Sequence, residues 1–141
     1  MPYEFEMTRR VQFAETDMAG VMHFANYFRL IEEVEHAFYR AMGLSIMMLE
    51  GGAEIGWPRA SASCEYFAPV RFEQEMRLCL RVLELGNKSL TYELDFFHDE
   101  TLVARGKITK VCCRITETGF ESIPIPDGIR ARIREAMDKA R

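Results

Sequence analysis

Asp17, Gly20 and His23 fall within seven residues of one another, in the segment Val11-Gln12-Phe13-Ala14-Glu15-Thr16-Asp17-Met18-Ala19-Gly20-Val21-Met22-His23-Phe24-Ala25-Asn26-Tyr27. Asp17-Met18-Ala19-Gly20 suits a tight turn, with Asp first and Gly fourth. Gly20 lets the backbone turn sharply. A helical pattern begins at about Phe24 to Asn26, so the carboxylate lies near the positive end of a helix. Free N–H groups at such an end bind anions or polarise a carbonyl. An aspartate is ordinarily ionised at neutral pH. An ionised carboxylate can attack an acyl carbon or deprotonate a water, and it is a poor general acid. The chemistry that fits is acyl transfer to water, with helix N–H groups holding the developing oxyanion.

Each of these residues also has a structural alternative. Asp17 can serve its own turn alone. His23 can be a hydrogen-bonder at the helix start or a proton carrier. Asn26 can cap the helix or position the loop, and Glu15 and Thr16 can shape it. His36 lies three to four residues from Glu32, Glu33 and Arg40 and reads as a solvated helix neighbour. His98 reads as a turn residue.

The elements that must position the segment follow from periodicity. Tyr3 to Phe13 alternates as a strand, with Tyr3, Phe5, Met7 and Arg9 on one side. From Asn26 to Met42 the stripe Tyr27, Leu30, Ile31, Val34, Phe38, Ala41 is helical, and Gly43 follows it as a C′ glycine. Ser45 to Leu49, ahead of Gly51-Gly52, reads as a helical turn or two. Strands then follow in meander: Ala60 to Tyr66, stopping at Pro69; Met76 to Val82; Leu90 to Phe96; and one long strand from Leu102 to Ile115. Gly86-Asn87 reads as a hairpin turn. Asp127 to Arg141 reads as a short helix. One early helix with strands after it is α+β, and the helix must bury its stripe against the sheet.

Composition sets the outer bounds. With 48% hydrophobic and 28% charged residues, the 141-residue chain can bury a core and is expected to form one domain over residues 1–141. A net charge of -4 leaves no broad basic field, so nucleic acid is not expected as a partner. No apolar run approaches the ~18 residues of a membrane span, and Met1-Pro2-Tyr3-Glu4-Phe5-Glu6 does not read as a secretion signal. Cys64, Cys79, Cys112 and Cys113 form no C-x-x-C pair and read as reduced core thiols of a cytoplasmic protein. Cys112 and Cys113 read as two faces of one strand. Neither a metal nor a cofactor is expected, because no Cys/His cluster has ligand spacing.

The Asp17 segment resembles the 4-hydroxybenzoyl-CoA thioesterase family, the hotdog-fold acyl-CoA hydrolases. The matching positions are Asp17, Gly20, His23, Phe24, Asn26 and Tyr27. The resemblance continues through Glu65-Tyr66-Phe67-Ala68-Pro69 and at Lys88-Ser89-Leu90, and covers roughly 11–115. It implies an antiparallel sheet wrapped around one long central helix, and hydrolysis of an acyl-CoA thioester. It implies Asp17 as nucleophile or general base, backbone N–H groups around His23 and Phe24 polarising the carbonyl, and Lys88 near the CoA phosphates. Gly20, Phe24, Asn26, Tyr27 and Tyr66 would line or shape the substrate site, and His23 is the second candidate catalytic side chain. Phe24, Trp57, Tyr66 and Phe67 can line an acyl pocket. The family often carries several basic residues before the Lys-Ser pair, whereas Gly86-Asn87 stand there in this chain. An acyl carrier protein is therefore a second candidate carrier. The resemblance also implies a homodimer or homotetramer with sites shared between subunits. A hydratase or dehydratase on the same fold, using His23, and a non-catalytic acyl-binding module are the competing functions.

Overall fold

Half-buried and exposed positions alternate from Phe5 to Arg10, the first strand, β1 (Phe5–Arg10). Phe5, Met7 and Arg9 take the inner side, as the alternation predicts. The computed structural model describes residues 2–141, so Met1, the first residue of the expected domain, lies outside it. After one 3-10 turn at Phe13–Glu15 the chain enters the long helix α1 (Asn26–Ala41). Then come β2 (Met48–Glu50), β3 (Ala53–Gly56), β4 (Arg59–Tyr66), β5 (Glu75–Leu85), β6 (Ser89–His98) and β7 (Thr101–Val111). The chain closes with β8 (Cys113–Thr116), β9 (Gly119–Ser122) and α2 (Asp127–Lys139).

The main antiparallel sheet has the order β1-β5-β6-β7-β4, and a smaller one runs β2-β3-β8-β9. Helix α1 lays Tyr27, Leu30, Ile31, Val34 and Phe38 into a core shared with Met76, Leu78 and Leu80 of β5 and Leu94 and Phe96 of β6. Each fully buried aliphatic side chain of the stripe contributes ~1.5–3 kcal/mol. The helix comes so close to β7 that a Cβ on Gly106 would lie 2.6 Å from Ile31 Cδ1. The fold is the α+β hotdog, an antiparallel sheet wrapped around one long helix.

Several local expectations need correction. Ser45 to Leu49 is not a helical turn: Met48–Glu50 is a strand that returns through Gly51-Gly52, at φ +58 and +81, into β3. Consecutive positive-φ glycines suit a two-residue hairpin turn, and the apolar run is too short to nucleate a helix. The later strands are not a simple meander, because β4 pairs with β7 rather than with β5. Leu102 to Ile115 is not one strand. It breaks at Cys112, whose N–H donates to Lys88 O at 2.7 Å while its carbonyl accepts from Ile123 N–H at 3.0 Å, and the chain passes into the second sheet. Cys112 and Cys113 are therefore both buried at a break instead of facing opposite sides of one strand. The strand β9 had no counterpart in the periodicity.

The buried face of α1 carries one charge, Glu35, which is fully buried. Its carboxylate accepts from Arg59 of β4 at 2.5 and 2.9 Å, from Lys110 of β7 at 2.5 Å, and from the Tyr92 hydroxyl of β6. Lys110 also donates to Tyr39 at 2.5 Å and lies over the buried Trp57 ring. Trp57 is thus part of this cluster, away from the Asp17 loop. Burial alone would push the Glu35 carboxyl up, but Arg59, Lys110 and Tyr92 outweigh it and hold it at about 2. Burial pushes the Lys110 ammonium down to about 8.

A carboxyl held below its unfolded value stabilises the fold above that value, and the contribution is lost as pH falls through the folded one. Glu35→Gln should therefore lower the unfolding free energy at pH 7 by about 3 kcal/mol, as expected for breaking a buried ion pair. Parent and variant should converge as pH falls from the ordinary 4.5 towards about 2. Urea unfolding across that range checks this. A gap that does not change with pH would mean that the carboxylate's charge is not what holds the cluster.

Candidate active site

The Asp17 loop is held from both ends by Glu15. Its carboxylate takes two hydrogen bonds from Arg9 of β1, at 2.9 and 2.5 Å, and one from the Gln12 N–H at 2.8 Å. Its carbonyl accepts from the His23 N–H at 2.9 Å and from Asn26 Nδ2 at 2.8 Å. One residue thus ties β1 to the start of α1 across the loop. Burial would raise the Glu15 carboxyl, but Arg9 and the Gln12 N–H keep it below its ordinary value. Asn26 positions the loop and does not cap the helix. Thr16 closes the 3-10 turn by donating to Phe13 O at 2.7 Å.

Within this frame Asp17 to Gly20 forms the expected tight turn. Gly20 N–H donates to Asp17 O at 3.0 Å, and Asp17 N–H donates to Val21 O at 2.9 Å. Gly20 sits at φ +80, where a side chain would be strained. Asp17 Oδ1 accepts from the Ala19 N–H at 2.9 Å and the Val21 N–H at 3.4 Å. Asp17 Oδ2 has no partner among the described residues, and the side chain is exposed. The residue serves its turn with one oxygen and presents the other.

The start of α1 supplies the second component. The N–H groups of His23, Ala25 and Asn26 are all taken: by Glu15 O, by His23 Nδ1 at 3.2 Å, and by His23 O at 3.0 Å. The Phe24 N–H has no partner among the described residues. Of the two donors expected around His23 and Phe24, only Phe24 is therefore free. His23 Nδ1 accepts from the Ala25 N–H, and the ring stacks on Phe24 at 4.6 Å between centroids. Its Nε2 has no partner among the described residues. Tyr66 donates to Phe24 O at 3.0 Å, which pins the helix start to the end of β4. Tyr27 is buried in the core, edge-on to Tyr66 at 5.1 Å, so it supports Tyr66 and does not face solvent.

Beside Asp17 a groove of about 530 Å³ is walled by Phe13 and Phe72, which meet edge to face at 5.7 Å. A larger hollow of about 660 Å³ lies between β1, the end of α1 and α2, and contains no residue of the loop. Phe24 and Phe67 are exposed near the loop and the end of β4. Arg71 was not singled out from the sequence, although its guanidinium comes within 3.8 Å of where a Gly20 Cβ would stand. Lys88 is not brought to Asp17. It lies on the hairpin between β5 and β6, next to the ladder row of Leu85 and Leu90, while the loop abuts the row of Phe96 and Tyr66 at the other end. The strand rise puts those ends on the order of 20 Å apart. Among the described residues, no three His, Cys, Asp or Glu side chains gather as a metal ion would require.

The sequence profile of the thioesterase-like superfamily matches residues 11–133. A protein of Aquifex aeolicus provisionally named an esterase is 34% identical over 113 residues, covering 79% of this chain and 84% of its own. A 1,4-dihydroxy-2-naphthoyl-CoA hydrolase of Microcystis aeruginosa is 25% identical over 130 residues, covering 92% of this chain and 90% of its own. A solved gentisyl-coenzyme A thioesterase superposes with a TM-score of 0.78 at 28% identity, over 89% of this chain and 99% of that one.

The turn geometry makes Gly20 testable. A Cβ there would meet only Arg71, at an ordinary 3.8 Å, so the cost of a side chain is conformational. Gly20→Ala should lose about 1 kcal/mol of unfolding free energy, and Gly20→Asn clearly less, because Asn tolerates the left-handed region. Equal urea midpoints for parent and both variants would mean that the turn does not need its glycine.

Proposed function

Since the chain belongs to the thioesterase-like superfamily, we propose that it hydrolyses acyl-CoA thioesters with Asp17 as the reacting carboxylate. The protein is a thioester hydrolase. The observation that carries the residue-level reading is the pairing of one open carboxylate oxygen, on Asp17, with one open amide donor, on Phe24, at the start of α1.

In this mechanism the thioester carbonyl oxygen accepts from the Phe24 N–H, and the positive end of α1 favours the charge that develops there. Asp17 Oδ2 either takes a proton from water, which then adds to the acyl carbon, or adds to that carbon itself. In the first course the tetrahedral intermediate expels the thiolate, the C–S bond breaks, and the proton held by Asp17 goes to the sulfur. In the second an enzyme-bound anhydride forms as the thiolate leaves, and water then hydrolyses it. His23 maintains the helix start, so it keeps the amide donor in place without carrying the proton. That role favours hydrolysis over hydration, which would need an imidazole working on the acyl chain.

The acyl group would occupy the groove beside Asp17 that Phe13 and Phe72 wall. Two relatives are named for aromatic acyl-CoA substrates, which supports a CoA carrier here. An acyl carrier protein is the alternative carrier. Lys88 would meet a CoA phosphate at the far end of an extended pantetheine arm or in a second subunit's site. A homodimer or homotetramer acting in the cytoplasm completes the reading.

The test is a panel of acyl-CoA thioesters with released thiol detected. The parent protein should turn over at least one of them. For that substrate Lys88→Ala should raise KM about fivefold at low salt with kcat little changed, the signature of remote binding. No thiol release from any acyl-CoA would remove the CoA-thioesterase reading. An unchanged KM would leave Lys88 an ordinary surface lysine.

A further inference from the structure

The hairpin that carries Lys88 is held from behind by the C-terminal helix. Arg130 of α2 donates from Nη2 to Gly86 O at 2.7 Å and to Asn87 O at 2.9 Å. The Asn87 carbonyl belongs to the peptide unit that leads into Lys88, so the guanidinium stands one residue from the lysine. The chain between β9 and α2 follows the same hairpin, and its Ile125 N–H also donates to Asn87 O, at 2.9 Å. Lys88 Nζ reaches Ser122 Oγ of β9 at 3.5 Å. The hairpin, β9 and the first turn of α2 therefore meet at one corner of the molecule.

Holding two carbonyls occupies one nitrogen of Arg130. Nε and Nη1 have no partner among the described residues, and neither Arg130 nor Lys88 is paired with a carboxylate among them. Glu84 comes near Gly86, its Oε1 3.8 Å from where a Gly86 Cβ would stand, yet it bonds to neither cation. Arg134, one turn further along α2 and on the same side as Arg130, has no acidic partner among the described residues either. A chain of net charge -4 thus gathers three uncompensated cations along one corner. Their mutual repulsion is relieved by a polyanion, and a forked guanidinium with free donors suits phosphate.

An aromatic surface adjoins the cations. Side chains alternate along β9, so Phe120 shares a face with Ser122. Phe120 stands opposite Ile115 of β8 and is 64% exposed. Behind it Gly56 of β3 lets the pair lie close to the sheet: a Cβ there would stand 3.1 Å from Ile115 Cδ1 and 3.6 Å from the Phe120 ring. An exposed ring, backed in this way and next to phosphate-binding cations, suits the stacking of a nucleobase.

We propose that this corner binds the nucleotide end of a coenzyme A thioester, with Arg130 joining Lys88 on the phosphates and the adenine stacked on Phe120. The inference rests on the thioesterase reading above and decides its carrier, since a thioester on a carrier protein brings no adenine to Phe120. Arg130 holds the hairpin with one nitrogen and binds the ligand with the others. Helix α2, which contributes nothing to the Asp17 loop, thereby contributes to substrate affinity.

The probe is adenosine 3′,5′-bisphosphate, which carries the base and two phosphates without a thioester, titrated calorimetrically into the full-length protein at low salt. The parent should bind it, and Arg130→Gln and Phe120→Ala should each weaken binding about fivefold, the size of an exposed charge or stacking contact. In a Lys88→Ala background, Arg130→Gln should weaken binding about fivefold again, because two direct contacts act separately. If that double variant binds like Lys88→Ala alone, Arg130 only holds the hairpin and the proposal falls. A parent protein that does not bind the bisphosphate overturns it too. If Arg130→Gln does not fold, Arg130→Lys keeps the charge and removes the fork, and the exposed Phe120→Ala decides on its own: parental affinity there overturns the proposal. In turnover, the parent should favour an acyl-CoA over the same acyl group on pantetheine by at least about tenfold in kcat/KM, and equal values would contradict it. Bisphosphate binding with no thiol released from either thioester would instead defeat the thioesterase reading and leave the nucleotide site standing.

Discussion

A carboxylate in the middle of a helix's buried face constrains how that helix can lie. Glu35 must find cations, and they are Arg59 on β4 and Lys110 on β7. Sliding α1 by one turn, about 5.4 Å, would keep most of its apolar stripe buried. It would also strand the Glu35 charge among aliphatic side chains, at a cost of several kcal/mol. Hydrophobic packing alone tolerates such shifts far better than a buried ion cluster does. The cluster thus works as a register device, and the position of the helix start follows from it.

That position matters because the groups proposed for chemistry belong to different elements. Asp17 sits in a loop leaving β1, and the Phe24 N–H opens α1. Glu15 joins the two, its side chain held by Arg9 and its carbonyl held by His23 and Asn26. Tyr66 adds a third tie from β4 to Phe24 O. The ties to backbone oxygens are ordinary hydrogen bonds worth ~1 kcal/mol each, and the two-bond Arg9–Glu15 ion pair is charge-assisted. Together they leave one carboxylate oxygen and one amide donor open, and occupy the neighbouring donors.

Much of this was legible in the sequence where local pattern decides the outcome. The stripe from Tyr27 to Phe38 yields α1, the Asp17–Gly20 spacing yields the turn, and alternation locates β1, β4, β5 and β6. The failures are where distant partners decide. Periodicity marks β4 as a strand but carries nothing about which edge it joins, so its pairing with β7 was missed. Glu35 lies on the buried side of α1, but a charge there is intelligible only once Arg59 and Lys110 are brought to it. The break at Cys112 is made by bonds to Lys88 and Ile123, neither of them a neighbour in sequence. The motif Asp17, Gly20, His23, Phe24 was recognisable as a set. Which of its N–H groups remains free was not, because that depends on the Glu15 carbonyl and the His23 imidazole.

The central claim is that Asp17 supplies a charge for chemistry beyond what its turn requires. Asp17→Asn separates the two roles, since Asn matches the shape, can still accept the Ala19 and Val21 N–H bonds, and lacks the charge. The measurement is turnover of an acyl-CoA substrate and thermal melting on the same preparation. The account predicts parental melting with kcat lowered at least about a hundredfold, the lower end of what a positioned acid or base contributes. A variant that melts like the parent and still hydrolyses within a few-fold of it would contradict the account and reduce Asp17 to a turn residue.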